Sequence, residues 1–178
     1  MARVFSAIHI EDEKVLREME NVRDTIDLGF SKVPREKFHV TLQFFEEINR
    51  RQIKKVEKTL ENIETGPFEV EIRGVGAFPS EEYIRVVWAG MKSSKIFDLQ
   101  KQAKVHNVPS ENHHEFKPHS TFLRVDDVSN AKKEKLQRNI KEFKDHSFGK
   151  LKIDSVKLFE SELTPDGSKY RVLSEIDL

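Results

Sequence analysis

Two histidines, His39 and His119, lie 80 residues apart in a chain of 178, and each is followed two positions later by a threonine, Thr41 and Thr121. In an extended strand the side chains at i and i+2 leave the same face, so each histidine projects together with its threonine. Two such pairs facing one groove suit displacement at phosphorus, where a nucleophile enters on one side and an oxygen leaves on the other. One imidazole takes a proton from water and the second gives a proton to the leaving oxygen; an unperturbed pKa near neutrality serves either job. The hydroxyls of Thr41 and Thr121 would donate to the non-bridging oxygens, where negative charge gathers, in place of a metal ion. Such a route needs no cofactor. Because the roles exchange when the reaction reverses, the sequence leaves open which histidine is acid and which is base.

A lone histidine in a strand is ordinarily structural, and threonine is favoured in strands without any chemical duty. The pairing is what lifts these four residues above that reading. His9, His106 and His146 have no such partner and are expected to be structural. His113, His114, Glu115 and His119 invite a metal site, but Pro118 interrupts any helix that would align them and adjacent strand residues face opposite ways, so no metal is expected.

The elements that must position the pairs can be read from periodicity. Phe38, Val40, Leu42 and Phe44 share one parity and are predicted to face a helix, which turns His39, Thr41 and Gln43 to the other side. Arg3 to Ile10 predicts an opening strand. Asp12 caps a helix through Val15, Leu16, Met19, Val22 and Ile26 that Gly29 and Pro34 end. Asn49 caps a second helix with Ile53, Val56, Leu60 and Ile63 as one stripe. Strands follow over Phe68 to Phe78 and Tyr83 to Gly90, then a thinly striped helix from Ser94 to Val105, the strand carrying His119, and a helix starting near Ser129. Two closing strands are predicted over LKIDSVKLF and KYRVLSEI.

A partial repeat runs through this order. Val70, Ile72, Val75 and Phe78 map onto Leu151, Ile153, Val156 and Phe159 at a constant offset of 81, within one residue of the histidine spacing. Tyr83 and Tyr170 are read as opening the last strand of each half. Duplicated halves related by a pseudo-twofold axis would bring the His39 and His119 strands to a shared cleft.

Composition narrows the remaining classes. Without cysteine there is no disulfide, zinc-thiolate site or cysteine nucleophile. Charge balances at 31 basic and 31 acidic residues, so any nucleic-acid contact should be local rather than a broad positive face. The opening apolar run is too short for a signal peptide and nothing is long enough to span a membrane, so a cytoplasmic protein with no membrane partner is expected.

The elements His39-Val40-Thr41-Leu42 and His119-Ser120-Thr121-Phe122, together with RVFSAI, GVGAFP, YIRVVWAG and PHSTFLR, resemble the two-histidine phosphoesterases. More specifically, the chain looks like their RNA 2',3'-cyclic phosphodiesterase branch, also called the 2'-5' RNA ligase family. The resemblance covers nearly the whole chain. It departs at Phe45-Glu46-Glu47, where Leu-Gly-Glu is usual, and at Phe122, where leucine is common. It implies an α+β fold over residues 1–178 as a single domain of two interleaved pseudo-symmetric lobes, with two antiparallel-rich sheets flanked by helices and a central cleft. The implied activity is metal-independent hydrolysis of RNA 2',3'-cyclic phosphate ends to 2'-phosphate, with 2'-5' ligation in reverse. His39 and His119 would be catalytic, and Thr41, Thr121 and Arg124 would bind substrate. No cofactor is implied, the partners are RNA ends or nucleoside 2',3'-cyclic phosphates, and the protein is expected to be a monomer. A regular strand would turn Arg124 away from His119, so its role requires a bulge or the end of the strand nearby. Two other readings are a module that binds RNA ends without turnover and an enzyme for another cyclic or 2'-5' phosphodiester.

Overall fold

Among residues 1–111 and 115–178, which the computed structural model describes, nine strands, all but β2 and β9 carrying buried residues, build two antiparallel sheets, and four amphipathic helices cover their outer faces. The strands are β1 (Ala2–His9), β2 (Ser31–Lys32), β3 (His39–Ile48), β4 (Phe68–Pro79), β5 (Ile84–Met91), β6 (His119–Arg124), β7 (Ser147–Ile153), β8 (Ser155–Thr164) and β9 (Gly167–Asp177). The helices are α1 (Glu13–Ile26), α2 (Arg50–Glu61), α3 (Ser94–Ala103) and α4 (Asn130–Glu142). The first sheet has the order β3-β1-β8-β9 and the second β2-β6-β5-β4-β7.

The helix starts lie where capping chemistry predicts them. Asp12 accepts from the backbone of Lys14 and Val15, Asn49 forms a reciprocal box with Gln52, and Ser129 accepts from Lys132. Each cap satisfies helix N–H groups that would otherwise lack a partner. Helices α1 and α4 pack on the second sheet, and α2 and α3 on the first, so each half of the sequence helps to cover the other half's sheet. One continuous apolar core runs through both, with Phe38, Phe45, Phe122 and Met19 among its fully buried side chains.

The duplication can be seen in the strand registers. Phe5 pairs with Phe159 and Val86 with Phe78; Ala7 pairs with Lys157 and Trp88 with Gly76; these couples are related residue by residue through the offset of 81. Thus β1 corresponds to β5 and β8 to the second half of β4. The first half of β4 corresponds to β7, and these two lie side by side with Val70 opposite Leu151, the one pair that the offset maps onto itself. The pseudo-twofold axis passes there.

Three expectations need correction. LKIDSVKLF is two strands rather than one, because at Asp154 the chain leaves the second sheet for the first. Burial changes parity there, from Leu151 and Ile153 to Val156 and Leu158. Tyr83 and Tyr170 are not equivalent: Tyr83 precedes β5, the counterpart of β1, whereas Tyr170 lies in β9, an added strand on the far side of β8. The parity of β3 also switches at Leu42, where a bulge against β1 leaves Leu42 and Gln43 both buried. Gln43 therefore turns inward and exchanges hydrogen bonds with the backbone N–H and carbonyl of Val105, while Phe44 turns to the opposite side.

Candidate active site

The His-bearing strands β3 and β6 come into contact where the two sheets meet. His39, Thr41, His119, Thr121 and Arg124 line a single open cleft of about 670 Å³ between them. His39 and Thr41 alternate with buried Val40, and His119 and Thr121 with buried Ser120, so burial of the alternate residues fixes which side chains face the cleft.

Backbone carbonyls set both imidazoles alike. Nδ1 of His39 lies 2.7 Å from the Lys37 carbonyl oxygen, and Nδ1 of His119 lies 2.5 Å from that of Lys117. A carbonyl only accepts, so Nδ1 carries the hydrogen in each ring and Nε2 is the nitrogen free to exchange a proton. Aromatic rings brace them. Phe5 and Tyr170 lie 5.0 and 5.6 Å from His39, and Phe78 and Trp88 lie 4.8 and 5.9 Å from His119, centroid to centroid. Burial disfavours the imidazolium and pushes both histidines below their ordinary range, His39 to about 4. The positive charges of His9, His119 and Arg124 push His39 the same way, against the Lys37 carbonyl.

Of the two ways to turn Arg124 towards His119, a bulge is the one that β6 contains. Val87 pairs with Leu123 but Trp88 pairs with Thr121, so Phe122 is the extra residue, Phe122 and Leu123 are both buried, and Arg124 swings round to the cleft. Leu42 is the bulged residue of β3, and the histidine spacing of 80 relates it to Phe122. The same spacing relates Phe44 to Arg124.

Several cleft residues were not found by sequence reasoning. Phe44 was hidden by the bulge. The β8–β9 hairpin brings Leu163, Asp166 and Tyr170 to the cleft, and Arg3 reaches it from β1. The signal for the hairpin was Pro165-Asp166-Gly167, turn chemistry with Gly167 at φ +106°, which folds Tyr170 back opposite Ser161. His9 pairs in register with His39, and its Nε2 lies 3.0 Å from the Glu36 carbonyl oxygen. Behind it, nearly buried Lys157 donates to Glu11 at 2.9 Å. His146 bonds Glu18 away from the cleft and His106 is exposed. His113 and His114 lie outside the described residues. Among the described residues no cluster of three or more His, Asp or Glu could hold a metal ion, and no helix is long and apolar enough to cross a membrane.

Two antiparallel sheets related by a dyad, each giving a histidine and a threonine to the cleft, define a two-histidine phosphoesterase. Residues 5–178 match the model of the AKAP7 2'5' RNA ligase-like domain, and the chain belongs to that family. A protein of Methanocaldococcus jannaschii named RNA 2',3'-cyclic phosphodiesterase is 31% identical over 97% of this chain and 99% of its own length. Its namesake from Methanothermobacter thermautotrophicus is 33% identical over 94% of each. Among solved structures, TT0787 of Thermus thermophilus superposes with a TM-score of 0.80 at 23% identity, covering 99% of this chain and 97% of that one. E. coli LigT complexed with 3'-AMP gives 0.75 at 20% identity over 99% and 98%. At those identities the structural likeness concerns the fold.

Proposed function

We propose that the protein hydrolyses 2',3'-cyclic phosphate ends of RNA to 2'-phosphates, with His39 and His119 as the proton-transfer pair. Water attacks phosphorus and loses its proton to one Nε2, the bond from phosphorus to the 3' oxygen breaks, and that oxygen takes a proton from the other Nε2. Thr41, Thr121 and Arg124 donate to the phosphate oxygens as charge builds on them. The observation that carries this reading is the matched pair of rings in one cleft, each held with Nδ1 on a carbonyl and Nε2 free. The printed names of the relatives from M. jannaschii and M. thermautotrophicus support the same substrate.

The test is incubation with a nucleoside 2',3'-cyclic phosphate and with an RNA ending in one, in excess chelator, followed by identification of the product. The 2'-phosphate is expected from both. Inertness toward both substrates, or a 3'-phosphate product, overturns the proposal.

A further inference from the structure

The cleft continues past the histidines along the first sheet, and that extension is built differently from its pseudo-symmetric counterpart. Where the second lobe places Arg124, the first places Phe44, whose ring is stacked on Phe5 at 6.1 Å. The cation on this side comes from β1. The Arg3 guanidinium lies over the Phe44 ring, 5.3 Å from its centroid, and lines the same cleft as the two histidines. Arg23, Arg35, Arg73, Arg85 and Arg171 each hold a carboxylate. Glu160, opposite Val4 on the neighbouring strand, is taken by Arg171. Among the described residues Arg3, Arg50, Arg51, Arg124 and Arg138 have no carboxylate partner, and of these only Arg3 and Arg124 line the cleft, so at this end a half-buried guanidinium is held on an aromatic face without an ion pair.

We infer that Arg3, on its Phe44 platform, binds the phosphodiester that joins the terminal nucleotide of the substrate to the one before it. The inference rests on the proposed function and names its preferred substrate: an RNA chain of at least two nucleotides, favoured over a free cyclic mononucleotide. A cleft of about 670 Å³ has room for more than the ring phosphate and its ribose. Leu163, 65% exposed on the β8–β9 hairpin at the same end, offers apolar surface to a base. Glu111 and Asp166 also line the cleft, so it is no general polyanion track; Lys32 is paired with Asp24, Lys37 lies over the Tyr170 ring beside His39, and Arg124 stands with the histidines, which leaves Arg3 as the cation of this end.

The experiment compares kcat/KM for a 2',3'-cyclic mononucleotide and for a dinucleotide ending in a 2',3'-cyclic phosphate, in the wild type, Arg3→Gln and Arg3→Lys. The wild type is expected to favour the dinucleotide. Arg3→Gln should lower the dinucleotide-to-mononucleotide ratio roughly tenfold, the scale of one charge-assisted hydrogen bond. It should also flatten the salt dependence of dinucleotide binding by about 0.7 in the logarithmic slope. Arg3→Lys should restore part of both. An unchanged ratio, or equal loss on the two substrates, overturns the inference. Affinity for the dinucleotide 2'-phosphate, measured by titration, separates the two readings: a wild type inert on both cyclic substrates defeats the catalytic proposal, whereas loss of product affinity in Arg3→Gln still supports the subsite. Unchanged product affinity counts against it.

Discussion

The two lobes share a backbone plan and brace each histidine with two aromatic rings, but the residues that stand behind differ. In the first, Ala7 leaves space beside Thr41, and the neighbouring positions hold His9 and nearly buried Lys157, so the strand neighbour of His39 is a second imidazole that itself lies 3.5 Å from an ammonium. In the second, the counterparts of Ala7, His9 and Lys157 are Trp88, Gly90 and Gly76, and the indole fills the space the two glycines leave. A Cβ on Gly76 would lie 2.3 Å from the Trp88 ring. Both histidines are clamped against rings, but the strand neighbours behind them differ: the first lobe keeps an imidazole and an ammonium there, and the second an indole with the Lys117 ammonium over its face. Duplication thus conserved the strand geometry that aims the imidazoles, while the material behind them diverged.

The largest expected effect tests whether that divergence leaves the chemistry shared. His39→Ala and His119→Ala should each lower kcat by roughly two or more powers of ten, the scale of losing a general acid or base. If either variant turned over at the wild-type rate, the two lobes would not be partners in one reaction. Thr41→Val and Thr121→Val keep shape and remove only the hydroxyl donor, so each should cost about ten- to a hundredfold in kcat with melting temperature nearly unchanged. A loss confined to one of them would show that the lobes divide the phosphate oxygens unequally.

Packing should distinguish the lobes next. Gly76→Ala forces a methyl group into the Trp88 ring and should destabilise by about 1–3 kcal/mol in chemical denaturation. In a Trp88→Ala background, itself several kcal/mol less stable, the same change should be nearly free, giving a large coupling in the double-mutant cycle. Additive effects would mean the indole does not depend on the glycine space.

The smallest effect is the position of the pH optimum. Both imidazoles titrate below the ordinary histidine range, with His39 at about 4, because burial disfavours their charged forms. At high pH both rings are neutral and no acid is available. As pH falls below about 6.5, one proton enters the pair and kcat/KM should rise, and near 4 the last neutral ring is lost and it should fall again. Half-points belong to the coupled pair rather than to either residue. An optimum above pH 7.5 would contradict the burial that lowers both rings.

Much of this molecule could be read in local chemistry. The caps at Asp12, Asn49 and Ser129, the alternation that turns His39 and Thr41 away from Val40, and the offset of 81 are short-range properties of the chain, and each is visible in its residues. The bulges at Leu42 and Phe122 are different in kind. A bulge exists only relative to a partner strand, so β3 and β6 read alone show a regular alternation that is wrong after the fourth residue. Phe44, Gln43 and Arg124 were therefore assigned to faces by pairing with β1 and β5, and Arg3 and Tyr170 reached the cleft because sheet order placed β1 and β9 there. Sequence determined the pairs of reactive side chains and the repeat that carries them. Only tertiary structure decided which residues stand around them, because side-chain direction past a bulge, and proximity between strands far apart in sequence, are set by hydrogen-bond register across a sheet.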